Sequence, residues 1–333
     1  MIITKTPHRI SFFGGGTDYP SWYLKNGGKV LGAAIDKYCY LIVRELPPFF
    51  EHKHRIVYSR MENVSAIEEI AHPSVKAVLK RMKYQKGISI HHDGDIPARS
   101  GMGSSSAFTV GLLNAMYTLE GRAISKDDLG ELAIDVEQND IKENVGSQDQ
   151  IFAAHGGFNR VEFLPSREIV VSPVVMKPEN ARALEQRLML VFTGLSRNAS
   201  DIAQEQIANV GRNAAELARM AGLVDEAYGL ITAPKPDLPA FGRLLNETWK
   251  MKRALSSKIS SSHIDGIHEA ALKAGAEGGK LLGAGGGGFM LFSAEPERQA
   301  QVREALKGLL LIPFKFEYFG SQIIYYSHGA ERQ

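Results

Sequence analysis

The sequence predicts two domains of mixed strands and helices that share one cleft. Three observations carry that reading. The chain has 333 residues, longer than most single domains and short for three. Residues 1–46 read as strands, whereas most of the second half reads as long helices. Many of the 33 glycines fall into dense clusters, at Gly14-Gly15-Gly16, Gly101-Met102-Gly103 and Gly283-Ala284-Gly285-Gly286-Gly287-Gly288, rather than singly in turns.

Taken in order, residues 2–4, 9–13, 30–35 and 38–46 are β-rich runs separated by glycine or proline signals. Over residues 64–84 the apolar positions Ile67, Ile70, Val75, Val78, Leu79 and Met82 recur at roughly helical spacing, interrupted by Pro73, which predicts two helices. Residues 88–92 alternate as a short strand. After the glycine loop, Phe108, Leu112, Leu113, Met116 and Leu119 make the stripe of a helix over 104–120. Residues 126–138 and 148–154 read as helices, 158–163 with 169–175 as a hairpin, and the polar surroundings of Pro178, Glu179 and Asn180 suggest a domain boundary. That places residues 1–180 in an N-terminal domain and 181–333 in a C-terminal one. The latter begins with a strand at 188–193 and continues with helices over 201–232, 237–255 and 264–274. A strand, glycine loop and strand follow at 279–292, then a charged helix at 296–309 and last strands within 315–326.

Composition narrows the function. Lysine plus arginine number 39 against 37 acidic residues, so no overall field draws the chain to nucleic acid or to a membrane surface. The single cysteine, Cys39, sits in the apolar run from Tyr38 to Val43, which rules out an intrachain disulfide and a zinc site built of cysteines. The N-terminus lacks the order of a signal peptide, and no apolar stretch approaches the ~20 residues of a membrane span. A cytoplasmic protein with a small polar partner is expected.

The middle glycine cluster carries the strongest chemical signal. Pro97-Ala98-Arg99-Ser100-Gly101-Met102-Gly103-Ser104-Ser105-Ser106-Ala107 follows a predicted strand and opens a predicted helix. The first turn of a helix has unpaired N–H groups and the positive end of the helix dipole, so it attracts anions. Gly101 and Gly103 allow phosphate oxygens close to the backbone, and the three serines add hydroxyl donors or a metal ligand. Two better-known phosphate motifs fail. Gly283 to Gly288 fits G-x-G-x-x-G formally, but the strand-like Phe289-Met290-Leu291-Phe292 follows where a dinucleotide fingerprint needs a helix. Near Gly279-Lys280, Ala274 stands where a P-loop has its first glycine, and Leu281 follows the lysine.

Three segments together resemble the galactokinase, homoserine kinase, mevalonate kinase and phosphomevalonate kinase (GHMP) superfamily. Pro7-His8-Arg9-Ile10-Ser11-Phe12-Phe13-Gly14-Gly15-Gly16-Thr17-Asp18-Tyr19 resembles its first motif, Gly101 to Ala107 its second and Gly283 to Gly288 its third, in the family's order and spacing. The resemblance implies an α+β fold, with an N-terminal domain like domain 2 of ribosomal protein S5, a C-terminal ferredoxin-like domain and the site between them. It implies ATP bound through Pro97, Ser100, Gly101, Met102, Gly103, Ser104, Ser105 and Ser106, and Mg2+ held by Ser105 and Glu137. Asp149, in Ser147-Gln148-Asp149-Gln150, corresponds to the catalytic aspartate of galactokinase-like members. Arg9 corresponds to the basic residue beside the attacking hydroxyl, where a guanidinium favours the alkoxide as it forms.

Asp18 resembles the aspartate that binds sugar hydroxyls in galactokinase, but Gly15 and Gly16 stand where that enzyme has a glutamate and a histidine. Galactose is therefore not the expected acceptor. The Gly-Gly-Gly-Thr-Asp form, with Thr193-Gly194-Leu195-Ser196-Arg197 and Gly279 to Gly285 downstream, looks more like the D-glycero-D-manno-heptose 7-phosphate kinase branch, with fucokinase domains as near relatives. That resemblance implies transfer to the anomeric hydroxyl of a sugar phosphate, with Gly15, Gly16, Asp18, Arg197, Gly285 and Gly286 on the acceptor side. A homodimer is compatible with it. The rival readings are a free-sugar kinase of fucokinase type, a sugar sensor that has lost catalysis, and a decarboxylase. The presence of Arg9, Asp149, Glu137 and Ser105 argues against the sensor, and Gly-Gly-Thr-Asp against the decarboxylase. His91 and His92 adjoin on a strand and point to opposite faces, so they do not make a metal pair.

Overall fold

The computed structural model describes residues 1–98, 100–195 and 199–327. Two sheets organise it. The larger has eight strands. β1 (Ile2–Phe13) and β2 (Gly28–Glu45) form its antiparallel spine, with β3 (His54–Val57), β4 (Met61–Val64), β5 (Ile88–Gly94) and β12 (Gln322–Tyr326) in the order β12-β1-β2-β5-β3-β4. The long β2 forks: residues 39–45 pair with β5, and residues 28–33 pair with β6 (Phe158–Phe163), which carries β7 (Ile169–Pro173). The smaller sheet is antiparallel throughout, in the order β11 (Leu310–Ile312), β8 (Leu188–Phe192), β10 (Phe289–Ser293), β9 (Gly278–Leu281). Because β12 pairs with β1, the chain ends its described course back in the first sheet.

Helices cover both sheets: α1 (Pro20–Asn26), α2 (Pro73–Arg81), α3 (Ser104–Leu119), α4 (Lys126–Asp135), α5 (Gln148–His155) and α6 (Pro178–Arg187), then α7 (Ala199–Ala208), α8 (Ala214–Thr232), α9 (Leu238–Ala254), α10 (Ser262–Lys273) and α11 (Gln299–Ala305). Helix α3 is buried on most faces from Ser106 to Met116. It lies close on β1, where a Cβ at Gly111 would come within 2.8 Å of Thr6 Oγ1.

An aromatic cluster joins the two sheets' layers. Phe13 of β1 meets Phe241 of α9 edge-on at 5.1 Å, and Phe12 touches Phe158, Phe241 and Phe316. Burying a phenylalanine contributes about 1.5–3 kcal/mol, so the end of β1, where the first glycine motif starts, is firmly seated between the halves.

Several elements differ from the sequence reading for physical reasons. Residues 2–13 form one strand rather than two, because a bulge at Pro7/His8 absorbs the proline without breaking pairing to β2. Residues 28–45 are likewise continuous. Of the two helices expected over 64–84, the first is one 3-10 turn, Ile67–Glu69. Residues 201–232 divide into α7 and α8. The helix expected over 296–309 is a 3-10 turn, Pro296–Arg298, followed by α11. Helices α1 and α6 were not expected; each starts with proline in its first turn, where the missing N–H is harmless.

Candidate active site

The three glycine motifs converge on one cavity of about 250 Å³ between the two sheets' layers. Arg9 and Ser11 from β1, Gly15, Gly16 and Asp18 from the turn after it, the loop and first turn at Gly101 and Gly103–Ser106, Gln148 and Asp149 of α5, and Gly283 and Ala284 line it.

The second motif has the geometry of an anion cradle. Gly101 and Gly103 adopt φ of 79° and 73°, a left-handed conformation that few other residues take without strain. Gly103 is the N-cap of α3 and offers no side-chain cap, so the first-turn N–H groups remain open toward the cavity. Met102 is fully buried in the core, and its carbonyl accepts from the Arg9 N–H at 3.3 Å. It anchors the loop instead of lining the cavity. Ser100 is also fully buried, and Pro97 is exposed away from the cavity walls.

The third motif supports the second from behind. A Cβ at Gly283 would lie 2.3 Å from Gly101 Cα, and one at Gly288 would lie 2.1 Å from the Ser100 carbonyl oxygen. Only glycine lets these two backbones touch. Gly285 and Gly286 pack on Ile259, whose carbonyl accepts from the Gly286 N–H at 2.9 Å; the wall itself is made by Gly283 and Ala284.

Arg9 and Asp149 meet in the centre. Arg9 Nε donates to Asp149 Oδ1 at 2.8 Å, Nη2 reaches the same oxygen at 2.6 Å, and Nη1 donates to the Gly101 carbonyl at 2.8 Å. Arg9 is 4% exposed, whereas the Asp149 side chain retains 26%, so the carboxylate faces the cavity from a fixed support. Asp18 is buried and receives the N–H groups of Gly16 (2.9 Å) and Gln148 (3.3 Å) on its two oxygens. Burial raises its pKa, and Asp149 adds to the effect.

Glu137 lies in a π-helical turn, Val136–Asp140, and is fully buried. Its Oε2 accepts from Ser106 Oγ at 2.9 Å and from Gln150 Nε2 at 2.5 Å, while Oε1 is buried with no partner among the described residues. Burial pushes the pKa up to about 7. The serine that touches Glu137 is thus Ser106; Ser105 is exposed in the cavity wall. Among the described residues no cluster of three His, Cys, Asp or Glu side chains stands ready for a metal. His91 is exposed, and His92 packs edge-on against Phe108 at 5.3 Å. Arg197 lies outside the described residues.

Sequence reasoning missed two cations. Lys252 of α9 and Lys280 of β9 also line the cavity, and they are 6% and 2% exposed. Lys280 adjoins the third motif, a signal that its sequence position offered; Lys252 carries none. Ser11 Oγ and Gln148 Oε1 are cavity-lining polar atoms, buried and without a partner among the described residues.

Comparison with known proteins agrees with this architecture. The GHMP kinases N terminal domain matches residues 69–157 and the GHMP kinases C terminal domain residues 227–310. The chain is 30% identical over 319 residues to a D-glycero-alpha-D-manno-heptose 7-phosphate kinase from Campylobacter jejuni, covering 92% of this chain and 93% of that protein. It is 25% identical to a bifunctional fucokinase/GDP-fucose pyrophosphorylase from Arabidopsis thaliana, covering 90% of this chain and 30% of that larger protein. The crystal structure of a D-glycero-D-manno-heptose 1-phosphate kinase from Bacteriodes thetaiotaomicron superposes with a TM-score of 0.80 over 98% of this chain and all of that one, at 24% identity. Among the described residues no helix is long and apolar enough to cross a membrane. The chain belongs to the GHMP kinase family, with that family's two-domain α+β fold, and is a sugar kinase that transfers phosphate to an alcohol group.

Proposed function

We propose that this kinase uses ATP to phosphorylate the anomeric hydroxyl of a sugar that already carries a remote phosphate, with D-glycero-D-manno-heptose 7-phosphate as the acceptor and the 1,7-bisphosphate as product. The observation that carries the chemistry is the Arg9–Asp149 pair beside the open first turn of α3. The similarity to the Campylobacter jejuni enzyme supports the acceptor.

In the reaction the acceptor oxygen forms a bond to the γ-phosphorus as the bond from that phosphorus to the β-bridging oxygen breaks, and ADP leaves. The acceptor's proton passes to Asp149 or, through it, to water. The catalytic role is mainly positioning and charge stabilisation, because phosphoryl transfer asks little covalent chemistry of the protein. Asp149 orients the hydroxyl, and Arg9, fixed by Gly101, holds Asp149 in place and favours the developing alkoxide. Asp18, Ser11 and Gln148 offer hydrogen bonds to sugar hydroxyls. The N–H groups of Ser104–Ser106 receive phosphate oxygens.

The residues present fit the family's magnesium. Glu137 has an orphaned buried oxygen and a carboxyl whose pKa burial raises until a cation offsets the cost, the Ser106 hydroxyl donates to its other oxygen, and the Ser105 hydroxyl is a hard oxygen donor in the cavity wall one residue away. When bound, the ion neutralises charge on the phosphates being transferred. Glu137 and Ser105 would hold it, with Ser106 orienting the carboxylate.

A coupled ADP-release assay across free and phosphorylated hexoses and heptoses, with the product's position fixed by phosphorus NMR, tests the reading. Turnover of heptose 7-phosphate to the 1,7-bisphosphate is expected. Preference for free fucose would establish the fucokinase-like alternative.

A further inference from the structure

Two buried ammonium groups in the cavity remain without a role in the chemistry above. Lys280 Nζ donates to the carbonyls of Ser11 and Phe12, both at 2.8 Å. Lys252 Nζ donates to the Leu281 carbonyl at 3.4 Å and to that of Gly283. Each ammonium has three N–H bonds, so each keeps a donor beyond these two. Neither forms a salt bridge among the described residues, although lysines this deeply buried are almost always paired.

Asp18 and Asp149 act on Lys252, and Asp18 on Lys280, without forming an ion pair with either lysine. Asp149 is held by Arg9, and Asp18 by the N–H groups of Gly16 and Gln148. Burial lowers the pKa of each, Arg9 and the lysines' mutual repulsion add to it, and the carboxylates offset only part of the effect. A fold that keeps two unpaired cations together in a water-accessible cavity carries a cost that an anionic ligand would offset.

From this arrangement we infer that Lys252 and Lys280 form a phosphoryl-recognition subsite for the acceptor's own phosphate, distinct from the nucleotide cradle at α3. The inference rests on the phosphorylated-acceptor reading and deepens it. Position supports the assignment. Lys280 is anchored at Ser11 and Phe12, whereas Arg9 lies two residues earlier on the same strand, a spacing of roughly 7 Å. Lys280 is therefore anchored further along β1 than Arg9, as a phosphate several bonds from the reacting hydroxyl requires, and Lys252 reaches the same wall from α9, at the Leu281 and Gly283 carbonyls. A phosphate monoester also has the charge and the three acceptor oxygens to take a donor from each ammonium.

The test is a comparison of kcat/KM for heptose 7-phosphate with that for the unphosphorylated heptose, in wild type, Lys252→Met, Lys280→Met and Lys252→Arg. Methionine keeps much of the stem's volume without the charge. Thermal denaturation establishes that each variant is folded, and the Lys252 variants carry the test if Lys280→Met does not fold. The preference for the phosphorylated acceptor is expected to fall at least ~10-fold in the methionine variants and to recover in part with arginine, with the KM for ATP within ~2-fold of wild type. A wild type that prefers the free sugar overturns the acceptor reading and this inference with it. A wild type selective for the phosphorylated sugar, whose selectivity survives both substitutions, overturns the lysine assignment alone. A rise confined to the KM for ATP reassigns the lysines to the nucleotide and equally overturns it.

Discussion

Arg9 places two of its N–H groups on one oxygen of Asp149, Oδ1, at 2.8 and 2.6 Å, and leaves Oδ2 unclaimed by the guanidinium. Oδ2 instead lies beside Gly103, 3.3 Å from where a Cβ on that glycine would be. An arginine–carboxylate pair that served only the fold would gain more from bidentate engagement of both oxygens. Here one oxygen is used for fixation, and the other faces the glycine loop before α3, where the proposed reading brings the acceptor hydroxyl.

Asp149→Asn keeps the shape but removes the basic oxygen, so kcat is expected to fall at least ~100-fold, the range for loss of a positioned acid–base group. ATP affinity, measured by calorimetry, should change by less than ~2-fold if the nucleotide is held at the first turn of α3 as proposed. A variant that keeps more than about half of wild-type turnover would show that Asp149 neither orients nor deprotonates the hydroxyl.

Glu137 gives a prediction about pH. Its pKa in the folded protein is about 7 against an ordinary 4.5, so between those values the folded state holds a proton that the unfolded state has lost. Stability from this group is therefore lost as pH rises through that window, by about 3 kcal/mol in all. Glu137→Gln removes the titration, and urea denaturation at a series of pH values should show the variant gaining on wild type by roughly that amount between pH 4.5 and pH 8. A constant difference across the series would mean that the carboxyl is better solvated than its burial implies. The same variant should need more magnesium for half-maximal rate.

The fold was legible in the sequence where local signals were strong and isolated. The buried stripe of α3, the helix expected over 237–255 and the glycine loop between two strands at 279–292 all stood out. Pro7 misled because local chemistry reads it as a break, while the bulge that accommodates it exists only once β2 is alongside. The centre of the site was legible through its motifs. Lys252 was not, because a lysine in an amphipathic helix reads as solvated, and only the packing of α9 against β9 buries it. Likewise, nothing in a run of glycines tells which ones another backbone presses on, as Gly101 does on Gly283 and Ser100 on Gly288.

That distinction can be tested by alanine substitution. Gly283→Ala places a methyl against Gly101 at a φ of 69°, so it combines strain with a backbone clash. A loss of stability of about 2 kcal/mol or more is expected, with a fall in kcat because the phosphate loop must move. Gly266 in α10 has open space around it and serves as control; alanine there should stabilise by up to ~1 kcal/mol. Equal effects at the two positions would dissociate the third motif from loop support.

Gly15 and Gly16 separate a second pair of roles. Gly16 has a φ of 108°, so an L-residue there is strained whatever the space, and alanine is expected to cost ~1–3 kcal/mol. Gly15 is not in the left-handed region, and a Cβ on it would meet Ser11 Oγ at 3.3 Å and Gln148 Nε2 at 3.4 Å. Those neighbours are side chains able to yield by a few tenths of an ångström, and both line the cavity, where the proposed reading places the sugar. Gly15→Ala should therefore fold with stability within ~0.5 kcal/mol of wild type, yet raise the KM for the acceptor at least ~5-fold while leaving that for ATP unchanged. Steady-state kinetics with each substrate varied in turn makes the comparison. An unchanged acceptor KM would place the sugar away from Gly15.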